Sequence, residues 1–317
     1  MKHVRFAGII PPLVTPFDER GNYVAAAMER LIDRVIEAGV HGVLVLGSMG
    51  EFSELDAATR KEILTHCVAH VRGRVPVFVG IGASSTRETI QLGQHAQCVG
   101  ADAALVVNDF YSPLSREKLA GFYRDVAAAI DLPLFLYNFP AMTGQDIEPS
   151  LVRELALSCE NIVGIKDTVD AVAHTRQIIL DVHAERPDFI VFTGNDDQML
   201  GALLLGGHGG IPATATFAPE IACALYRAFH EHDYPATIAL QRQISILVSI
   251  YAVDTPPYGT VKAAVRMTGL DFPTSLLPPG RLLDDVGIAR VCAILTCGGI
   301  TFERDALAPV TPIAVGT

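Results

Sequence analysis

Five lysines stand against nineteen arginines in this chain of 317 residues, and one lysine, Lys166, ends an apolar run, Ile162-Val163-Gly164-Ile165. Lys2 is terminal, Lys61 and Lys118 lie on polar helical faces, and Lys262 falls in a late helical pattern beside Val261 and Ala263. A lysine that closes an apolar strand costs desolvation energy unless it is used, because burial disfavours an ammonium. A neutral amine attacks a ketone to form an imine, so Lys166 is the candidate nucleophile of Schiff-base chemistry. The alternative is a lysine held by a carboxylate such as Asp167 or Asp196. Tyr137 closes another apolar run, and a tyrosine beside a Schiff base can relay protons to a carbinolamine or a leaving alkoxide. A core tyrosine with a satisfied hydroxyl would look the same. Ser48 lies in the turn Gly47-Ser48-Met49-Gly50-Glu51, where glycines let backbone N–H groups converge on a carboxylate. An ordinary tight turn would again look similar.

These residues need a frame that brings them together. Short apolar runs rich in Val, Ile, Leu and Phe lie at 6–10, 42–47, 75–81, 103–107, 133–138, 162–167, 189–194 and 210–213, as expected of parallel strands covered on both faces. Helical patterns fall between them at 24–38, 56–71, 85–99, 115–130, 148–158, 170–184 and 196–205. Eight such units within about 220 residues is the spacing of a closed (β/α)8 TIM barrel, an α/β fold whose chemistry sits at the C-terminal ends of the strands. An open doubly wound sheet usually stops at five or six parallel strands, and no dinucleotide fingerprint follows the first strand here. The expected organisation is therefore a barrel over 1–217 and a C-terminal helical extension packed on it over 218–300. Its helices fall at 218–232, 235–252, 257–269 and 282–297. The Ala/Pro/Val/Thr-rich segment 301–317 reads as a loosely held tail. The barrel mouth would gather Gly47–Glu51, Tyr137–Pro140, Lys166–Thr168 and Gly194–Asp197.

Composition narrows the function classes. The net charge is −11 and no basic run occurs, which argues against nucleic acid and anionic membrane surfaces. Pro11 and Pro12 break the N-terminal apolar run, and no stretch reaches the ~18 apolar residues of a membrane span. A cytoplasmic location is expected. The six cysteines show no CxxC spacing and read as small buried apolar residues in a reducing compartment. His66 and His70 are four apart without the following glutamate of a zinc protease, so they read as a solvated helix face. The glycine-rich stretch 206–210 precedes the eighth strand and reads as a tight turn at the barrel's bottom. No histidine and carboxylate cluster marks the strand ends, so neither a metal nor a cofactor is expected.

The motifs GSMGE at 47–51, YNFP at 137–140 and GIKDT at 164–168, in that order, resemble the dihydrodipicolinate synthase/N-acetylneuraminate lyase superfamily. The resemblance runs from about residue 5 to about 290. The stretches 9–12, 50–55, 137–147 and 164–174 are most similar to bacterial 2-keto-3-deoxy sugar-acid aldolases, which yield pyruvate and a hydroxyaldehyde from a keto-deoxy gluconate or pentonate. The resemblance implies a small 2-keto acid as substrate and Lys166 as the imine-forming lysine. It implies Tyr137 as the proton relay, Ser48 and the Met49 N–H as carboxylate holders, and Tyr111 as a tyrosine that reaches a neighbour's site in a homotetramer, a dimer of dimers. Thr168, Gly194, Asp196 and Ile211 match positions expected around the substrate. Two positions depart from the pattern. Met142 stands where the synthases carry an arginine for the second substrate's carboxylate, and Ala213 replaces a serine of the sialate lyases. A dehydratase of the same superfamily, the synthase itself and a non-catalytic keto-acid-sensing barrel are the competing readings.

Overall fold

The computed structural model describes residues 6–303. Eight strands occur: β1 (Gly8–Ile9), β2 (Val43–Val45), β3 (Val77–Gly80), β4 (Ala103–Val107), β5 (Leu134–Asn138), β6 (Ile162–Asp167), β7 (Ile190–Thr193) and β8 (Gly209–Gly210). All pair in parallel, in the order β1-β8-β7-β6-β5-β4-β3-β2. The last seam is closed by the segment that follows β1. His41 N–H donates to Ile9 O (2.8 Å), Leu44 N–H to Pro11 O (3.0 Å) and Leu13 N–H to Leu44 O (2.8 Å). Pro11 and Pro12 have no N–H to give, so pairing with β8 ends at Ile10, while the Pro11 carbonyl still accepts from β2. The (β/α)8 barrel is therefore complete.

Helices α1 (Ala25–Glu37), α2 (Ala57–Val71), α3 (Thr86–Val99) and α4 (Arg116–Ala129) follow the first four strands. The β5–β6 connection carries α5 (Pro140–Thr143) and α6 (Pro149–Ser158), and α7 (Val172–His183) and α8 (Met199–Leu204) complete the ring. Their starts are written locally: Asp56, Ser85 and Ser115 accept the N–H of Thr59, Glu88 and Lys118, the N-cap arrangement. Further on lie α9 (Pro219–His230), α10 (Tyr234–Leu247), α11 (Tyr258–Met267) and α12 (Asp285–Cys297). The tenth helix is shorter than the expected 235–252, because Val248–Ala252 tightens into a 3₁₀ turn. Beyond Glu303, whose N–H donates to Met267 O (2.8 Å), the expected tail lies outside the described residues.

Strand alternation fills the barrel's interior and leaves its mouth for chemistry. Phe6, Phe78, Phe135 and Phe192 meet edge-to-face or stacked and plug the lower half. On β6 the inward position below Lys166 is Gly164, where an added Cβ would lie 2.4 Å from the Phe135 ring. Lys166 thus stands one layer above the aromatic plug.

Three expectations are corrected. Gly209 and Gly210 are not a bottom turn ahead of the strand; they are β8 itself, and residues 211–213 lie beyond it. The pairing Gly8↔Gly209 is so close that a Cβ on Gly209 would sit 2.0 Å from the Gly8 carbonyl oxygen. Glycine serves that contact but carries no apolar pattern to read. His66 and His70 are not solvated: they form the half-buried α1–α2 seam, meeting Glu29 (3.0 Å) and Asp33 (2.8 Å), with Tyr23 Oη on His66 Nδ1 (2.7 Å). Of the cysteines, Cys67, Cys223 and Cys292 are buried, Cys159 is half-buried, and Cys98 and Cys297 are exposed.

Candidate active site

The barrel mouth brings Lys166, Tyr137 and Ser48 together. Tyr137 and Lys166 are register partners on β5 and β6, so both point inward at one level. Lys166 is 5% exposed, with Nζ 4.2 Å from the centroid of the Tyr137 ring. Among the described residues its ammonium has no ion-pair or hydrogen-bond partner. The two carboxylates that could have held it are engaged elsewhere. Asp167 accepts from Asn138 Nδ2 (3.0 Å), His174 Nδ1 (3.0 Å) and Thr175 Oγ1 (2.7 Å). Asp196 Oδ2 accepts from Thr214 N–H (2.8 Å) and from Tyr251 Oη (2.7 Å). Burial pushes the Asp196 carboxyl and the Tyr251 phenol up.

Ser48 reaches the site through a strained turn. Leu46 and Glu51, on either side of it, both take left-handed backbone (φ 55° and 56°), a conformation that costs a side-chain-bearing residue about 1–3 kcal/mol. The displaced Leu46 carbonyl lies over Gly80 of β3, where a Cβ would stand 2.1 Å from its oxygen. Residues 48–50 then form one 3₁₀ turn, and Ser48 Oγ shares a hydrogen bond of 3.1 Å with Tyr137 Oη. Met49 lies half-buried against the core in the same turn.

On the opposite wall, Gly194 leaves the room that Lys166 needs. A Cβ there would lie 1.9 Å from Thr168 Oγ1 and 3.0 Å from Lys166 Cε. Thr168 Oγ1 is buried and has no partner among the described residues, a free hydroxyl beside the lysine. Ile211 is buried in the interior cluster that also holds Tyr137 and Phe192. Asp196 is turned towards Tyr251 and Thr214, away from the lysine's company. Tyr111 does not join the group: it is 88% exposed on the loop after β4, with Phe110 partly exposed beside it. Met142, on α5, is 47% exposed at the rim.

The dihydrodipicolinate synthetase family model matches residues 5–296, nearly the whole of the described barrel and its helices. The chain belongs to that family. Within it, the chain is 42% identical over 296 residues to an Escherichia coli K12 protein named "Probable 2-dehydro-3-deoxy-D-pentonate aldolase YjhH", covering 93% of this chain and 98% of that one. YagE from the same bacterium, described as a candidate 2-dehydro-3-deoxy-D-gluconate aldolase, is 42% identical over 290 residues, 92% of this chain and 96% of YagE. The crystal structure of YagE in complex with pyruvate superposes with a TM-score of 0.92, covering 93% of this chain and 99% of that one. A 4-hydroxy-tetrahydrodipicolinate synthase of Hyphomonas neptunium is 38% identical over 277 residues, 86% of this chain and 92% of the synthase.

The family motifs sit on supports that the residue pattern does not announce. Glu51, the last residue of GSMGE, is fully buried and pairs with a second buried lysine, Lys262 (2.5 Å). Lys262 also donates to Ser275 O (2.7 Å), and Glu51 Oε2 accepts from Leu277 N–H (3.1 Å). Burial pushes the Glu51 carboxyl up and the Lys262 ammonium down, while each charge opposes the other's shift. The pair props the Ser48 turn from beneath. Nearby, burial pushes the Tyr258 phenol up to about 12. The one available signal was Lys262 itself, a lysine set in an apolar helix.

Proposed function

We propose that this chain is a class I aldolase, a lyase cleaving a 2-keto-3-deoxy sugar acid, such as a 2-dehydro-3-deoxy-gluconate or -pentonate, to pyruvate and a short hydroxyaldehyde. The observation that carries this reading is the unpaired Lys166 amine on the Tyr137 ring, with Tyr137 hydrogen-bonded to Ser48. Lys166 Nζ adds to the C2 carbonyl, and the carbinolamine loses water to give an imine as Tyr137 moves the protons. Tyr137, having given its proton to the departing water, then takes the proton of the C4 hydroxyl. The C3–C4 bond breaks into the iminium, the aldehyde leaves, and an enamine stays on Lys166. Protonation at C3 and hydrolysis release pyruvate. In this reading Ser48 and the Met49 N–H hold the keto acid's carboxylate. Thr168, Gly194, Asp196 and Ile211 border the hydroxylated tail, with the free Thr168 hydroxyl in contact with it. The sugar-acid aldolase names of YjhH and YagE and the pyruvate bound to YagE support the two halves of this substrate. Exposed Tyr111 supports a homo-oligomer, a dimer of dimers, in which that residue completes a neighbour's relay. Among the described residues no helix is long and apolar enough to cross a membrane, in keeping with a cytoplasmic enzyme.

Borohydride with pyruvate tests the nucleophile: one adduct per chain, mapped to Lys166, is expected, and an adduct that survives Lys166→Ala would refute it. A screen of keto-deoxy acids coupled to pyruvate detection separates an aldolase from a dehydratase, which would release a semialdehyde. A sensing barrel would turn over none of them. Met142 offers no guanidinium for a second carboxylate. Condensation of pyruvate with aspartate semialdehyde should therefore be weak or absent, and turnover matching that on a sugar acid would restore the synthase reading.

A further inference from the structure

The last rung of the β5–β6 ladder joins Asn138 to Asp167, the residues directly after Tyr137 and Lys166. One more backbone bond, from Thr168 N–H to Asn138 O (2.8 Å), ties the two segments, and past it they diverge into loops. Side chains on the barrel's outer face take over. Asn138 Nδ2 donates to Asp167 Oδ1 (3.0 Å) and to Asp146 Oδ1 (2.8 Å), and its own Oδ1 accepts from Ile147 N–H (3.0 Å). His174, near the start of α7, closes the ring: Nδ1 donates to Asp167 Oδ2 (3.0 Å) and Nε2 to Asp146 Oδ2 (3.2 Å). Thr175 Oγ1 adds a third donor to Asp167 (2.7 Å).

The Asp167 side chain is fully buried and the His174 side chain is 13% exposed. A buried carboxylate needs a counter-charge as well as donors, and among these partners only the imidazole can supply one. Both ring nitrogens face carboxylates, an arrangement that only a doubly protonated imidazolium satisfies. The same ring anchors Asp146, at the far end of the segment that carries Phe139 and Met142. We infer that His174 is a positioning residue: by clamping Asp167 to Asp146 on the outer face, it holds the ends of β5 and β6 so that Tyr137 and Lys166 keep the mutual geometry that imine chemistry needs. Misplacement by about 1 Å of a reacting group can slow a reaction roughly 100-fold.

This inference rests on the imine reading, and the test separates the two. Borohydride trapping of pyruvate is followed at varied pyruvate in wild type, His174→Gln, Asp146→Asn and, as a control, Ile178→Ala, a core truncation in the same helix. Melting temperatures are measured for each. His174→Gln should lower the limiting trapping rate roughly 10-fold or more, with the half-saturating pyruvate concentration unchanged, because the Ser48 turn lies outside the clamp. Asp146→Asn, at a half-exposed position, should lower the same limiting rate in the same way. A loss no larger than that of Ile178→Ala at an equal drop in melting temperature would overturn the positioning role, as would a loss confined to half-saturation. Failure of the wild type to trap pyruvate on Lys166 would refute the imine reading itself.

Discussion

Tyr137→Phe removes one hydroxyl and almost no volume, so the stacked contact with Phe139 and the shelf beneath Lys166 should survive. If the hydroxyl moves protons, turnover should fall by roughly 100-fold or more, the usual scale of general acid–base help. Pyruvate should still be trapped, more slowly. Equal losses of melting temperature and turnover would mark a packing role instead. His174 makes a pH-dependent contribution at the same scale. Against burial, which lowers it, hydrogen bonds to Asp146 and Asp167 raise the imidazole from 6.5 to about 10. A raised basic group stabilises the fold fully below the unfolded value and loses that contribution as pH rises through the folded one. Thermal melts should therefore show stability declining between about pH 6.5 and 10, with a shallower slope in His174→Gln. Parallel slopes would show that the imidazolium contributes nothing. Lys166 and Tyr137 could be picked out in the chain because each closes an apolar run. His174 could not, because its partners are the last residue of β6 and a residue of the connection after β5.

At the scale of elements, β2, β3 and the turn between β2 and α2 decide where Ser48 stands. Gly80→Ala would set a Cβ 2.1 Å from the Leu46 carbonyl oxygen, a backbone atom that cannot swing aside. Either the end of β2 or that of β3 must shift. Overpacking of this kind costs roughly 1–3 kcal/mol. The half-saturating pyruvate concentration should rise with it if the Ser48 turn holds the carboxylate as proposed, because that turn begins at the displaced residue. Unchanged trapping at an unchanged melting temperature would show that the turn tolerates the shift. Short continuous apolar runs made β2 and β3 readable, but not the left-handed Leu46 and Glu51 that bend the turn. Side-chain-bearing residues rarely adopt that backbone, and only surrounding contacts keep them there.

At the scale of the whole molecule, Tyr111 is 88% exposed, as the proposed role in a neighbour's site requires. If it serves a neighbour's site, Tyr111→Phe and Lys166→Ala should each be nearly inactive alone. Mixing them under subunit exchange should restore part of the activity, because one site of a mixed pair keeps both groups. No recovery despite demonstrated exchange would place Tyr111 in its own subunit's site or in none. Barrel closure also belongs to this scale. It depends on Pro11 accepting from Leu44 and on the glycine pair Gly8↔Gly209, contacts between segments far apart in the chain.

The order of strands and helices and the three motifs at strand ends are properties of neighbouring residues. Periodicity and residue type along the chain were enough to read them. Whether Lys166 was a free amine or half of an ion pair was not a local property. It was decided when Asp167 turned outward to His174 and Asn138, and Asp196 to Tyr251, leaving the lysine without a carboxylate. The buried Glu51–Lys262 pair was likewise decided by tertiary structure, since Lys262 in its apolar helix does not name Glu51, 211 residues earlier, as its partner. Charge costs depend on burial and on partners brought from elsewhere in the chain, and the packed barrel alone sets both.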